Sequence, residues 1–486
     1  MAVGYRDFMG VLRPVPALER LPEEELVKIV YLRDKRALPD AIKRLFDQAA
    51  VIPMEMEETR DVAEAMRFAS GETAGVNLGG ASGTIHYVRR SLEMLKDRDL
   101  SVDWGPRADP LEGDVLPLFD GLLLDLSKFK GVEVRPEANT LRAEAGATWR
   151  DVSEAAQQAG LLLPLFPVLP TNPYMGDVIA GSALLSSFAG GPETYIRNVD
   201  LLGPDTSYSQ SGFDLVPNNA TGYDLNSLLL VMGRNLGIPV SLTFQLLPIN
   251  RTRAVRFSFD SWEGVLTALQ TIAKAPLEPL RVVFGDPVAS AAGLDGGEGY
   301  TLEVDLGAAE EVLPGQEETL QAAVGEETPG TGSDGLGHLH ESATREKGPF
   351  HLAEIQTSLA DLPPLWEELA TWVGVRGSAF GLAGSLREGG TVHLLPFMRG
   401  DLRGTSTTGG PVDQVLHRGD RFNRITELVK IAQRHPCRVR NTQVGQLLAG
   451  DTQMRKRFAL ARRIKRGVDL GNIINPSGLL WVPPPR

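Results

Sequence analysis

The residues best suited to chemistry fall into three groups. The first is Gly79-Gly80-Ala81-Ser82-Gly83, directly after a predicted strand at Ala74–Leu78. Bare backbone N–H groups in such a loop can point at an anion, so it is a candidate phosphate cradle as well as a plain turn. The second is the stretch 164–191. Pro164, Pro167, Pro170 and Pro173 forbid a continuous helix or a central strand there. Gly176, Gly181, Gly190 and Gly191 then sit among small residues. Such a composition suits an extended backbone lying against a flat ligand, where larger side chains would collide. The apolar content of Val178–Phe188 argues against an exposed loop. The third group is His338, His340 and His351. Their spacing leaves a metal site open, but the surrounding segment is glycine-rich and acidic, which favours a solvated polar loop.

The composition limits what these groups can serve. At 486 residues the chain exceeds one ordinary core and predicts two or more domains. Its 52 Gly and 33 Pro call for many turns, hence a mixed helix-and-sheet protein rather than a helical bundle. A formal net charge of −13 speaks against nucleic acid as a partner. The single cysteine, Cys437, excludes an internal disulfide framework and an iron–sulfur cluster carried by this chain alone. No apolar run approaches the ~20 residues of a membrane span. The start, MAVGYRDFMG, lacks the basic flank and apolar core of a signal peptide. The expected location is cytoplasmic.

The elements that must position these residues follow from periodicity. Residues 17–48 carry a helical pattern suited to an N-terminal docking segment. Ala50–Pro53 reads as a strand and Thr59–Ala69 as a helix. Residues 84–115 show little period after a short helix at Tyr87–Leu95 and read as an insertion. Next come a strand at Gly121–Leu126, a hairpin (Gly131–Arg135, Leu141–Ala145) turning at Pro136–Asn139, and a helix over Trp149–Ala159 with Asp151 in its first turn. In the stretch 218–248, Leu225, Leu228 and Leu229 recur at helical spacing. Gly233 and Gly237 break that helix, and Val240–Leu247 alternates as a strand until Pro248. Strand, helix and two strands are expected at Ala254–Phe259, Trp262–Lys274, Leu280–Phe284 and Tyr300–Leu306. Residues 308–348 read as a mobile loop. Pro363–Trp372, Arg421–Arg434 and Thr452–Gly467 read as helices, and Thr391–Pro396 as a strand.

Several separated features then coincide in order. They are the strand–helix–strand–glycine loop, DGLLLDLSKFKGVEVRPEANTLRAEAGATWRDV, the glycine-rich 176–191, Gly222-Tyr223-Asp224-Leu225 with Leu228-Leu229, Gly233 and Leu236-Gly237-Ile238, and finally Asp469, Ile474, Asn475, Pro476 and Gly478. From about residue 45 to the end the chain resembles the FAD-linked oxidase family, with its p-cresol methylhydroxylase/vanillyl-alcohol oxidase (PCMH) type of flavin domain. It is most similar to glycolate oxidase and D-lactate dehydrogenase FAD subunits. The GYDL stretch is the specific part.

The resemblance implies an α+β fold: a two-subdomain FAD-binding domain over 45–250 (insertion 84–115), an α+β cap over 251–435, and a C-terminal segment, 436–486, returning to the FAD domain. Residues 1–44 precede it as a helical segment. It implies FAD, with Asn77, Gly79, Gly80, Ala81 and Ser82 at the pyrophosphate. Pro170, Thr171, Gly176, Gly181, Ser182, Gly190, Tyr195, Gly233, Gly237, Ile238 and Asn475 would lie along the cofactor. The long, flat, anionic shape of FAD requires such backbone donors and small residues.

The family pattern is not complete. Asn77-Leu78-Gly79-Gly80-Ala81-Ser82 lacks one basic residue, one glycine and one hydroxyl of the usual phosphate loop. Leu382 replaces the first histidine of the cap metal motif, His393 matches the second, and leucine cannot ligate a cation. No metal is expected, and His393 reads as a structural histidine, with a catalytic role as the alternative the resemblance implies. Asn441-Thr442-Gln443-Val444-Gly445 lacks the acid/base residues found there in the family, whose contribution is ~10²–10⁴ in rate. Arg345 is similar to the arginine that meets a substrate carboxylate, and also suits a solvated loop. The implied activity is hydride transfer from a small 2-hydroxy acid to FAD. Electrons would then pass to an iron–sulfur or electron-transfer flavoprotein subunit that could hold the chain at a membrane surface. For the mechanism, the absent residues favour a non-catalytic FAD-binding subunit of a redox complex; a third reading, a pseudoenzyme without FAD, is allowed by the altered phosphate loop and opposed by the retained glycine-rich stretches.

Overall fold

The computed structural model describes residues 129–398, apart from 170, 180–184, 204–206, 213–223, 233–234, 250, 292–298, 326–332, 335–338, 341–349 and 378. It also describes residues 4–6, 12–14, 51–55, 101–105, 121–126, 424, 427–440, 452–470 and 474. Gly4–Arg6 (β1) and Leu12–Pro14 (β2) pair antiparallel. Val51–Glu55 (β3), Ser101–Gly105 (β4) and Gly121–Asp125 (β5) form a parallel sheet with β5 in the middle. The stretch read as an insertion thus supplies β4, a strand that hydrophobic periodicity did not reveal.

An antiparallel five-stranded sheet follows. Val132–Arg135 (β6) and Thr140–Glu144 (β7) form the expected hairpin. Its turn has Pro136 in the first position and Asn139 in the left-handed region at φ 48°, which asparagine tolerates. Helix α1, Trp149–Gln158, starts at a capping box in which Thr148 and Asp151 satisfy each other's backbone N–H groups. Two short strands, Phe166–Pro167 (β8) and Leu185–Ser186 (β9), pair with each other around helix α2, Met175–Ile179. The stretch expected to be extended therefore contains one helical turn, with Met175 and Gly176 bonded back to Ala147 and Ala145. Ile196–Leu202 (β10), Tyr208–Gln210 (β11), helix α3 at Leu225–Met232, and Ile238–Gln245 (β12) complete the layer in the order β11-β10-β12-β7-β6. Leu141, Ala143, Trp149, Val199, Leu242 and Phe244 form its buried core.

The larger sheet comprises Arg251–Phe259 (β13), Arg281–Gly285 (β14), Tyr300–Ala308 (β15), Ser333–Asp334 (β16), Phe350–His351 (β17), Glu354–Ser358 (β18), Phe380–Arg387 (β19), Thr391–Met398 (β20) and Cys437–Arg440 (β21). Their order is β16-β13-β15-β14-β19-β20-β18-β21, with β17 on β20. Side chains alternate between the two faces. Val255, Phe257, Val282, Phe284, Leu302, Val304, Leu382 and Leu394 line one face and pack on helices α4, Trp262–Ile272, and α6, Leu362–Gly374. Trp262 and Trp366 stack at 3.8 Å between those helices. The opposite face carries Arg256, Arg281, Glu303, Asp305, Ser385, Arg387 and His393, all buried. That asymmetry positions the site.

Residues 308–348 do not form a plain loop. Leu313–Val324 is helix α5, with Leu320 fully buried and Arg253 paired to Glu317 at 3.1 Å. Its apolar positions are few, so the glycine and glutamate around them concealed a helix held by tertiary contact. Further on, Leu339 enters the core beneath the five-stranded sheet. His340 stacks 5.1 Å from Trp149 and bonds Ser153 Oγ at 2.9 Å. His340 is therefore a docked residue rather than a solvated one. The long helix α7, Thr452–Val468, lies near its expected bounds.

Candidate functional site

The two sheets meet along the charged face of the larger one. Val168 and Leu169 pack against Val283, Ala383, Leu395 and Phe397 of that face. Beside them Arg281, 1% exposed, donates from Nε to Asp305 Oδ2 at 2.5 Å, from Nη2 to Glu303, and from Nη1 to the Pro167 carbonyl at 3.2 Å. Glu303 also accepts from Arg256 Nε at 2.5 Å. Two arginines and two carboxylates thus form a buried, formally neutral cluster on three adjacent strands. Desolvating four charges is costly, and only close pairing offsets it.

A second arginine closes the other end of the contact. Arg387 donates from Nε to Ser186 Oγ at 3.1 Å and from Nη1 to Glu193 Oε1 at 2.9 Å. Ser385 Oγ lies 3.4 Å from the same Ser186 hydroxyl. A Cβ on Gly191 would come within 2.6 Å of Arg387 Nη2, so glycine there makes room for a guanidinium from the opposite sheet. At the far end of β14, Asp286 accepts from Ala289 N and Leu382 N. Burial nevertheless pushes its carboxyl up to about 6.

Within the five-stranded sheet, Asp200 is the hub of a polar network. It accepts from Arg142 Nη2 (2.9 Å), Asn198 (2.9 Å), Gln210 (3.0 Å) and Ser241 (2.5 Å). Burial opposes its ionisation, yet the bonds from Ser241, Gln210 and Arg142 hold its carboxyl below the usual range. Burial and the bond to Asp200 push Tyr208 up to about 12. Asn235, at the turn between α3 and β12, donates to Met232 O at 2.6 Å. Its Oδ1 is buried with no partner among the described residues. On α7, Lys465 holds Asp469 and the Ile474 carbonyl, and Ile474 N donates to Asp469 at 2.8 Å.

Residues 84–207, which include the small-residue stretch closed by the larger sheet, match the FAD binding domain family. The chain carries an FAD-binding domain of the PCMH type. Over 195 residues it is 22% identical to a D-lactate dehydrogenase of Archaeoglobus fulgidus, covering 40% of this chain. The matched part spans 44% of that relative's length. In three dimensions the chain is similar to the 4-ethylphenol oxidase from Gulosibacter chungangensis solved with isoeugenol. The TM-score is 0.60 at 13% identity, over 81% of this chain and 87% of that one. The mixed α+β fold expected from the sequence is therefore the fold observed.

Of the residues expected along FAD, Thr171, Gly176, Gly190 and Tyr195 all lie in the stretch between β8 and β10 of the FAD-binding domain. Thr171 N bonds the Leu169 carbonyl at 2.6 Å, and Tyr195 is buried in the domain core. Gly237 and Ile238 open β12, where a Cβ on Gly237 would press on the Leu202 carbonyl at 3.0 Å. Strand packing alone therefore asks for glycine there. Asn77, Gly79, Gly80, Ala81, Ser82, Pro170, Gly181, Ser182, Gly233, Asn475 and Arg345 lie outside the described residues. His393 is fully buried on the charged face, with Nδ1 3.7 Å from Glu354 Oε1. Leu382 faces the apolar core, so the two positions of the family's metal motif point to opposite faces. Among the described residues no cluster of three or more His, Cys, Asp or Glu could hold a metal, and no helix is long and apolar enough to cross a membrane.

Sequence reasoning missed Arg281, Arg387, Ser186 and Asn235. Arg281 and Arg387 did carry a signal: each is the one charged residue of its strand, the first of RVVFG and the last of FGLAGSLR. The open acceptor at Asn235, beside the Gly237-Ile238 turn, suits a hydroxyl or amine of an adenosine moiety.

Proposed function

We propose that this chain is an FAD-dependent oxidoreductase that takes a hydride from a small 2-hydroxy acid and passes electrons to a separate iron–sulfur or electron-transfer flavoprotein subunit. One observation carries the reading: a buried, charged sheet face closes on the small-residue stretch of an FAD-binding domain. Such a closure excludes water and fixes polar groups where a cofactor and substrate would meet. When bound, FAD supplies the hydride acceptor. Asn235 Oδ1 would accept from its adenosine half, and the stretch from Thr171 to Gly190 would lie along it. Similarity to a D-lactate dehydrogenase supports the substrate class. The lone Cys437, whose thiol burial pushes up to about 11, leaves no thiolate set here for a second redox centre, which supports an external acceptor.

A second reading is favoured by His393 and Leu382. The one retained histidine of the cap motif is fully buried against Glu354, and the other position is core leucine. That suits an FAD-binding subunit that relays electrons or holds a complex together without oxidising hydroxy acids. The visible spectrum of the purified protein, with and without anaerobic D-lactate or glycolate, decides. Flavin absorption at about 450 nm that bleaches with either acid supports the first reading. Flavin that never bleaches, in a protein that co-purifies with other subunits, supports the second. Absence of any flavin, even after incubation with FAD, overturns both.

A further inference from the structure

Strands β14 and β19 pair through Val283↔Ser385, Phe284↔Gly384 and Gly285↔Ala383. Continued outward, this register sets Arg281 opposite Arg387 and Leu280 opposite Glu388. Those positions do not pair with each other. The Leu280 carbonyl instead accepts from Phe188 N at 2.8 Å, and Glu388 N donates to the Phe188 carbonyl at 2.7 Å. The sheet forks, and a residue of the FAD-binding domain takes the missing rung. Phe188 also belongs to the apolar core packed on the larger sheet, which includes Val282 and Leu386, and Ser187 Oγ bonds the Leu280 carbonyl at 3.1 Å. Two like charges directly opposite would repel. Each guanidinium is instead turned to its own acids and to the FAD-binding domain: Arg281 to Glu303, Asp305 and Pro167 O, Arg387 to Glu193 and Ser186.

We propose that Arg281 and Arg387 are positioning residues that close this fork on Phe188 and so fix residues 185–191 against the cofactor side of the cap. The inference rests on the FAD reading for its consequence and on backbone geometry for its cause. A mobile 185–191 would leave β9 and the Gly190–Gly191 turn in no single position. The two flanking arginines remove that freedom from opposite sides. The role is one of placement: neither side chain is assigned a step on the substrate.

The test uses the full chain with R387M, R387K and F188A, and R376A as a control on a cap arginine bonded to Glu427 and Trp372 O. Hydrogen exchange of peptides covering 185–191 and 380–388 reports the fork without reference to cofactor. The dissociation constant for added FAD and the visible circular dichroism of bound flavin report the consequence. R387M and F188A are expected to speed exchange at 185–191 about tenfold or more, weaken FAD about tenfold and alter the flavin dichroism. R387K should recover part of each effect, and R376A should leave all three unchanged. If F188A does not fold, R387M and R387K carry the same comparison. Wild-type exchange at 185–191 in R387M would overturn the proposal. So would faster exchange there with unchanged FAD affinity and dichroism. If the wild-type chain binds no FAD, the functional reading fails, while the exchange measurement still decides whether the arginines hold the fork.

Discussion

Arg387 of the larger sheet stands where a side chain on Gly191 of the FAD-binding domain would stand. A Cβ there would lie 2.6 Å from Nη2 and 3.0 Å from Nη1, with Glu193 Oε2 also at 2.6 Å. Substituting Gly191→Ala should therefore cost about 1–3 kcal/mol, the usual penalty of overpacking. Because Arg387→Ala removes the guanidinium contact, though not the one to Glu193 Oε2, Gly191→Ala combined with Arg387→Ala should cost less than the sum of the two single changes. Denaturant titration of the three variants measures the coupling.

Arg281 anchors the buried four-charge cluster. Replacing it with methionine would leave Glu303 and Asp305 buried with only Arg256 to balance them. Loss of one partner from a buried ion pair costs about 3–5 kcal/mol. Arg281→Met should lower stability by that order in urea unfolding. Replacing Arg281 and Asp305 together by apolar residues of similar size should be milder, because Arg256 and Glu303 remain to balance each other.

Asp286 gives a pH dependence with a definite sign. Burial raises its folded-state pKa to about 6 from an ordinary 3.8. The folded chain therefore holds this proton more tightly than the unfolded chain. The stabilisation is complete below about pH 4 and is lost as pH rises through about 6, a change of about 3 kcal/mol. The wild-type curve of stability against pH should fall across that window relative to Asp286→Asn. Parallel curves for the two proteins would contradict this.

Helix α5 should behave as packed structure. Leu320 is fully buried in the core packed on the larger sheet. Leu320→Ala should cost about 2–5 kcal/mol by leaving a cavity, and limited proteolysis should cut the variant within 313–324 faster than the wild type. Equal cleavage of both would show that the segment is held by something other than Leu320.

Much of the scaffold was legible because it is locally encoded. Thr148 and Asp151 start α1 by capping, Asn139 turns the β6–β7 hairpin, and Leu228 and Leu229 followed by Gly237 announce helix, elbow and strand. The fold followed from the family resemblance that the order of the motifs carries. The contact between domains was not legible. Gly190 and Gly191 read as room for a flat ligand, whereas Gly191 makes room for Arg387. Strand β4 and helix α5 were hidden for a related reason. One lies in a parallel sheet, the other packs through a few residues, and both depend on partners distant in sequence.

The sequence alone determined most of the element types, because capping, turn chemistry and period act over a few residues, and its motifs carried the resemblance to FAD-binding proteins. Only the tertiary structure decided which charges are buried together. Arg281 and Arg387 lie 106 positions apart in the chain by their numbering, and no local pattern links them. Antiparallel register sets them at one fork, and burial there makes their pairing with Asp305, Glu303 and Glu193 energetically obligatory.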